Sequence, residues 1–133
     1  AAGGGVIALC RTSNPGGDEL QMLEVEGEPL YIRVARMVAQ RWAPLGDCGV
    51  VVGATYPREL ARVRAEVDSL PILVPGVGAQ GGSAADAVAS GADATGRGVI
   101  INSSRAILYA DSGAGYAAAA RRVAITTRDD CRV

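Results

Sequence analysis

Three stretches of the chain concentrate residues able to grip an anion or hydrogen-bond a polar ring. Pro75-Gly76-Val77-Gly78-Ala79-Gln80-Gly81-Gly82 has glycine at half its positions and one uncharged polar side chain, Gln80. Glycine reaches φ > 0 and lets backbone N–H groups come close to a ligand, and such groups beside a helix start bind anions. A tight turn with no ligand has a similar composition; the length of the loop and the glutamine favour the ligand. Ser103-Ser104-Arg105 brings a guanidinium, which can hold a phosphate through two parallel hydrogen bonds or sit in a surface salt bridge. Thr12-Ser13-Asn14-Pro15 offers small hydroxyl and amide groups, suited to a base or sugar and equally to an Asx- or Ser-type turn.

What is missing narrows the chemistry. The chain has no histidine, and all 13 basic residues are arginine, so it has no lysine either. Imidazole triads, Schiff bases and His-ligated metals are therefore outside its own means. The arginine bias is attributed to a GC-rich genome. A net charge of −1 gives no general field for nucleic acid or an anionic membrane, and no apolar run has the length of a membrane span. Cys10, Cys48 and Cys131 lack metal-ligand spacing and read as reduced thiols of a cytoplasmic protein, the first two as small buried hydrophobes. Asp18, Glu19, Glu24, Glu26 and Glu28 read as a solvated acidic segment, and Trp42 and Tyr109 as packing residues. The chain begins Ala-Ala-Gly-Gly-Gly without a methionine or a signal-peptide core, which points to a trimmed or partial chain.

The elements that would carry these stretches alternate in type. Val6–Cys10, Gly49–Gly53, Pro71–Pro75 and Gly98–Asn102 are continuously apolar, as in parallel strands buried on both faces. Pro29–Ala43 has Leu30, Val34, Met37, Val38 and Trp42 at helical spacing, and Pro57–Val67 has Leu60, Val63, Arg64 and Val67. A short helix runs over Ser83–Ser90 with Ser83 as N-cap, and an Ala-rich helix over Gly115–Arg128. Four strand–loop–helix units in one 133-residue domain mean an α/β fold with a parallel sheet. A small doubly wound sheet and half of a (β/α)₈ barrel both satisfy that pattern. In either, the three polar stretches lie at strand ends, where ligands bind.

Taken together, these strand-end motifs resemble the orotidine 5′-phosphate decarboxylase family, in its bacterial Thr-Ser-Asn-Pro type. The resemblance rests on Thr12–Gly17, Val51–Thr55, Pro75–Gly82 and Ile101–Ala110, in that order and spacing. It implies the C-terminal half of a TIM (β/α)₈ barrel, strands five to eight with their helices, as one unit over residues 1–133. It implies that Gln80 belongs to the phosphate-gripping loop, that Arg105 binds the phosphate with help from the Ser104 and Arg105 N–H groups, and that Ser13 contacts the pyrimidine ring. Pro75 and Val77 would line the base pocket.

The implied reaction forms uridine 5′-phosphate from orotidine 5′-phosphate without metal or cofactor, in pyrimidine biosynthesis. In the family a Lys-Asp-Lys-Asp network on the barrel's first half stabilises the carbanion, one Asp crossing a dimer interface. This chain has no lysine. It is expected to hold the phosphate- and base-binding half, to have no catalytic residue of its own, and to be inactive alone. Two open edge strands, Val6–Cys10 and Val99–Asn102, would favour a homodimer or association with another fragment. The competing expectation is a non-catalytic phosphate- or nucleotide-binding half-barrel that self-associates.

Overall fold

The computed structural model describes residues 3–132. Its main sheet comprises β1 (Val6–Arg11), β4 (Cys48–Val52), β5 (Ile72–Pro75) and β6 (Val99–Asn102), all parallel and in the order β1-β4-β5-β6. A doubly wound sheet reverses its strand order at a switch point. Here spatial order follows sequence order, so successive right-handed crossovers add strands in one direction and stack their helices over one face. That is the arrangement of a barrel segment.

Registry shows the two faces directly. Ala8, Val50, Ile72 and Val99 form one cross-strand row, and Leu9, Val51, Leu73 and Ile100 the adjacent one. The first row belongs to the core, with Val50 and Ile72 fully buried against α2 (Leu30–Met37), α3 (Pro57–Val67) and α4 (Ala84–Gly91). The second row faces away from the helices, leaving Leu9 66% and Ile100 48% exposed. Burial on both faces, expected for all four strands, thus holds at the centre of the sheet and fails at its edges. Both edge strands are the ones expected to be open.

The acidic segment is not merely solvated. Residues 17–29 fold as α1 (Gly17–Gln21) and a hairpin of β2 (Glu24–Val25) and β3 (Glu28–Pro29). Glu26 (φ 58°) and Gly27 (φ 76°) form its two-residue turn, with the paired positive φ values of a type I′ hairpin. Asp18 pairs with Arg11, and Glu26 with Arg33. Arg36 is held bidentately by Glu28 (2.7 and 2.8 Å) and again by Glu66 (2.9 Å to each oxygen), tying the hairpin to α2 and α3.

The Arg36 hydrogen bonds hold the Glu28 carboxyl below its ordinary value, outweighing the upward pull of burial. A carboxyl lowered in the folded state contributes stability above its unfolded pKa, and that contribution is lost as pH falls through the lower folded value. Acidification below the ordinary carboxylate range should therefore free the hairpin before the sheet. The Leu30 amide, which donates to Leu23 O at 2.8 Å, is the probe to follow by hydrogen exchange. Unchanged Leu30 protection at low pH would contradict this.

The helical stripe of α2 is only partly where its spacing places it: Val38 is buried as expected and Val34 packs against the core. Tyr31, Ile32, Ala35 and Val38 are buried. Leu30 and Met37, and one side of Val34, line an outer groove of ≈ 470 Å³ with Arg33, Arg36, Gln40 and Arg41. The helix continues as a π-turn over Val38–Trp42, whose extra residue per turn shifts the phase, and Trp42 ends 38% exposed. Tyr109, also expected to pack, is 78% exposed after the four-residue α5 (Arg105–Leu108). The last helix, α6, is Tyr116–Asp130. Ser83 caps α4 as expected, its hydroxyl accepting from the Asp86 N–H at 3.2 Å.

Arg64 occupies its expected position on α3 but does not act as a core residue. Its guanidinium donates to Gly91 O (2.6 Å), Leu70 O (2.8 Å), Gly98 O (2.8 Å) and Asp68 O. These carbonyls lie at the ends of α3 and α4 and before β5 and β6, at the end of the sheet opposite the polar loops. Cys10 is buried and Cys48 half-buried. Burial pushes the Cys10 thiol up to about 12, so it stays protonated and behaves as a small apolar side chain.

Candidate functional site

The glycine-rich loop after β5 is a closed turn. Gly78 N–H donates to Gly82 O (3.0 Å), Gly81 N–H to Gly78 O (2.8 Å) and Gly82 N–H to Gly76 O (3.1 Å). Three of its glycine amides are thus engaged within the loop rather than offered to a ligand. Gly76 has φ 96°, a left-handed conformation that glycine adopts without a Cβ clash. Gly82 lies so close to Ala54 Cβ that any side chain there would overlap it. The glycines therefore serve first to fold the loop against the end of β4, and that folding positions Gln80.

The end of β6 packs directly on this turn. Ser103 Oγ donates to Val77 O at 3.2 Å, and a Cβ at Gly78 would stand 3.0 Å from Ala106 Cβ. Between the two loops lies a small cleft of ≈ 160 Å³ lined by Pro75, Gly76, Val77, Ala79, Gln80, Asn102, Ser104 and Arg105. Gln80 and Arg105, expected to converge, both line it and both are exposed. No salt bridge among the described residues engages Arg105. Val77 is 6% exposed, so little of its side chain reaches the cleft surface. Ser104 Oγ donates to Asn102 Oδ1 at 3.1 Å, which brings in a residue absent from the expected set. A cleft lined by two amides, Gln80 and Asn102, one hydroxyl, Ser104, and the Arg105 guanidinium is chemically suited to a phosphomonoester dianion.

Ser13 reaches this region from the other side. Its hydroxyl lies over Gly53, at the end of β4, and 3.1 Å from where a Cβ of Gly76 would stand. Gln80 Oε1 is 2.6 Å from that same point. The loops after β1 and β5 therefore meet at Gly76. Ser13 also lines a second hollow of ≈ 430 Å³ with Asn14, Pro15, Gly16, Asp18, Glu19 and Tyr56. Its Oγ is buried and has no hydrogen-bond partner. The network beneath it was not apparent from the sequence: Arg11 is 2% exposed, ion-paired to Asp18 at 2.5 Å and stacked 3.8 Å over the Tyr56 ring. The one available signal was a guanidinium closing an otherwise apolar strand.

Comparison with known proteins gives the family. Residues 1–122 match the model of the orotidine 5′-phosphate decarboxylase / HUMPS family. The chain is 62% identical over 125 residues to the orotidine 5′-phosphate decarboxylase of Azoarcus sp. (strain BH72), covering 94% of this chain and 46% of that protein. It is 58% identical over 125 residues to the one from Janthinobacterium sp. (strain Marseille), with the same coverage. Among solved structures, Leishmania donovani OMP decarboxylase superposes with a TM-score of 0.76 at 38% identity, over 94% of this chain and 47% of that one. Leishmania donovani UMP synthase superposes with a TM-score of 0.78 at 42% identity, over 92% of this chain and 27% of that one. The chain thus spans about half the length of the curated relatives it matches. With a family match over nearly its whole length and a parallel sheet in barrel order, this chain belongs to the orotidine 5′-phosphate decarboxylase / HUMPS family.

Proposed function

We propose that this chain is the nucleotide-holding half of an orotidine 5′-phosphate decarboxylase of the Thr-Ser-Asn-Pro type, strands five to eight of its barrel. The meeting of Gln80 and Arg105 on one cleft carries the reading. Arg105, with the Ser104 and Arg105 N–H groups, binds the phosphate, and Gln80 closes over it. Pro75 and Val77 shape the base pocket. Ser13, whose hydroxyl has no partner within the chain, faces the pyrimidine; a serine hydroxyl re-aims by rotation about its Cα–Cβ bond.

The catalytic cation comes from the complementary half, because this chain has no lysine. The reaction it completes needs no metal or cofactor: carbon dioxide leaves C6 of orotidine 5′-phosphate, and a proton replaces it to give uridine 5′-phosphate. Phosphate binding at Arg105 contributes by ordering the closed site. The open row Leu9–Val51–Leu73–Ile100 and the outer flank of α2 are the surfaces the other half covers. The completed protein works as a cytoplasmic homodimer.

The test is reassembly. Mixed with the N-terminal half of a relative, the chain should release carbon dioxide from orotidine 5′-phosphate; alone it should release none. Arg105→Ala should weaken uridine 5′-phosphate binding about tenfold, as expected for one charge-assisted contact. A reassembled, folded protein without turnover would overturn the catalytic reading. If the chain alone binds uridine 5′-phosphate while the reassembled protein stays inactive, a self-associating binding module is favoured instead.

A further inference from the structure

We infer that Arg11 and Gln21 are positioning residues that set the place of Ser13 at the strand end. The inference rests on the assignment of Ser13 to the pyrimidine side of the site. Its starting point is a bulge in β1. Leu9 pairs with Val51 and Arg11 with Val52, so Cys10 and Arg11 together oppose a single residue of β4. A bulge re-aims the side chains that follow it. Both Cys10 and Arg11 are consequently buried at 2% exposure, an arrangement that strict alternation would not give.

The buried guanidinium is fixed on three sides. Its Nη2 meets Asp18 Oδ1 at 2.5 Å, its Nη1 donates to Gln21 Oε1 at 3.2 Å, and its Cζ lies 3.8 Å from the Tyr56 ring centroid. Gln21 passes this order on. Its Oε1 also accepts from the Thr12 N–H at 2.9 Å, and its Nε2 donates to Thr12 Oγ1 at 2.8 Å. One side chain therefore grips the residue before Ser13 at both backbone and hydroxyl. Gly17 permits that grip, since a Cβ there would stand 3.2 Å from both Gln21 Oε1 and Thr12 Oγ1.

Ser13 has no comparable anchor. Its Oγ is unpartnered, so its position comes from the grip on Thr12 and the backbone of Gly53 beneath it. The Arg11 carbonyl adds a further constraint by accepting from the Gly53 N–H at 2.7 Å. A buried polar side chain held by neighbours and left without a partner is available to a ligand. The Arg11–Gln21–Thr12 chain stands in the supporting role by which an outer layer of contacts orients a binding group.

Binding by the chain separates this role from simple support. Uridine 5′-phosphate and ribose 5-phosphate are titrated by NMR into the chain and its Arg11→Met, Gln21→Met and Ser13→Ala variants. Arg11→Met and Gln21→Met should each weaken uridine 5′-phosphate about fivefold, the effect of roughly one hydrogen bond. Ribose 5-phosphate, which has the phosphate but no base, should change by less than about twofold. Added to Ser13→Ala, either substitution should cost little more, because its route is already removed.

Equal weakening of both ligands, or full additivity with Ser13→Ala, overturns the positioning role while leaving the assignment of Ser13 intact. If Ser13→Ala leaves uridine 5′-phosphate binding unchanged, that assignment fails and the inference with it. A wild-type chain that binds neither ligand removes the nucleotide reading altogether. Should Arg11→Met not fold, Gln21→Met decides, since it cuts the grip on Thr12 and keeps the Arg11–Asp18 pair.

Discussion

Replacing Arg64 by methionine should lower the stability of the chain by about 4 kcal/mol, several hydrogen bonds to a charged donor being worth more than one. Arg64 serves four backbone carbonyls: Gly91, Asp68, Leu70 and Gly98. They belong to the close of one helix, the turn after another and the approaches to two strands, so the guanidinium acts as a common cap for four segments. Methionine keeps much of the stem but returns those oxygens to water or to nothing. The half-exposed site lets water repay part of the loss, which keeps the figure below the sum of four such bonds.

Lysine should recover little, because a single ammonium cannot reproduce the planar fork. Gly98 sharpens this. It has φ 82°, and a Cβ there would stand 3.0 Å from Arg64 Nη2, so the loop has been shaped around the guanidinium. Urea denaturation of the three proteins measures the effect. A loss under about 1 kcal/mol for Arg64→Met would show that the four contacts are dispensable.

Gly53→Ala should be nearly as damaging, at about 3 kcal/mol, through overpacking rather than lost contacts. A Cβ at position 53 would overlap Ser13 Oγ and stand 3.0 Å from Ser13 N and 3.1 Å from Ser13 Cβ. Gly53 is buried at the end of a central strand and donates to Arg11 O at 2.7 Å, so the backbone cannot simply retreat. Either the strand ends separate or Ser13 is expelled, and both outcomes should weaken uridine 5′-phosphate binding together with stability. Ser13→Gly in the same chain should restore part of the stability and none of the binding. Unchanged stability in Gly53→Ala would mean that the loop after β1 yields freely.

Strong local periodicity and punctuation made the four strands, α3, the Ser83 cap and the open edges legible in the sequence. The α2 stripe was legible only at Val38 and Val34. Its apolar residues cover a wide arc, and periodicity cannot choose between the strip that meets the sheet, Tyr31, Ala35 and Val38, and the strip that lines the outer groove. The hairpin at Glu24–Pro29 was hidden because its strands are two residues long and its Glu26 and Glu28 carboxylates pair with Arg33 and Arg36 of the following helix, a match no single-element spacing shows. In the site, the convergence of Gln80 and Arg105 followed from strand-end placement once their strands are read as the last two of a barrel. Arg11 did not, because a one-residue bulge depends on cross-strand registry. The glycines of the loop looked like ligand-facing amides, yet their own hydrogen bonds and the contact with Ala54 account for several of them.

The order β1-β4-β5-β6 also bears on how the chain comes together. Each main-sheet strand pairs with the next in sequence, and the helices between them bury that pairing from one side. Each closure joins strands consecutive in the main sheet, so ordering entropy is met step by step rather than in one search across the whole chain. The helix-side core is complete without help from the opposite face, where Leu9, Val51, Leu73 and Ile100 stand in register. On the proposed reading, such a unit is expected to condense before it meets a complementary half, as one prepared surface meeting another. Its association rate with a second half should then vary in proportion to the concentration of that half, as in docking, with no lag for refolding.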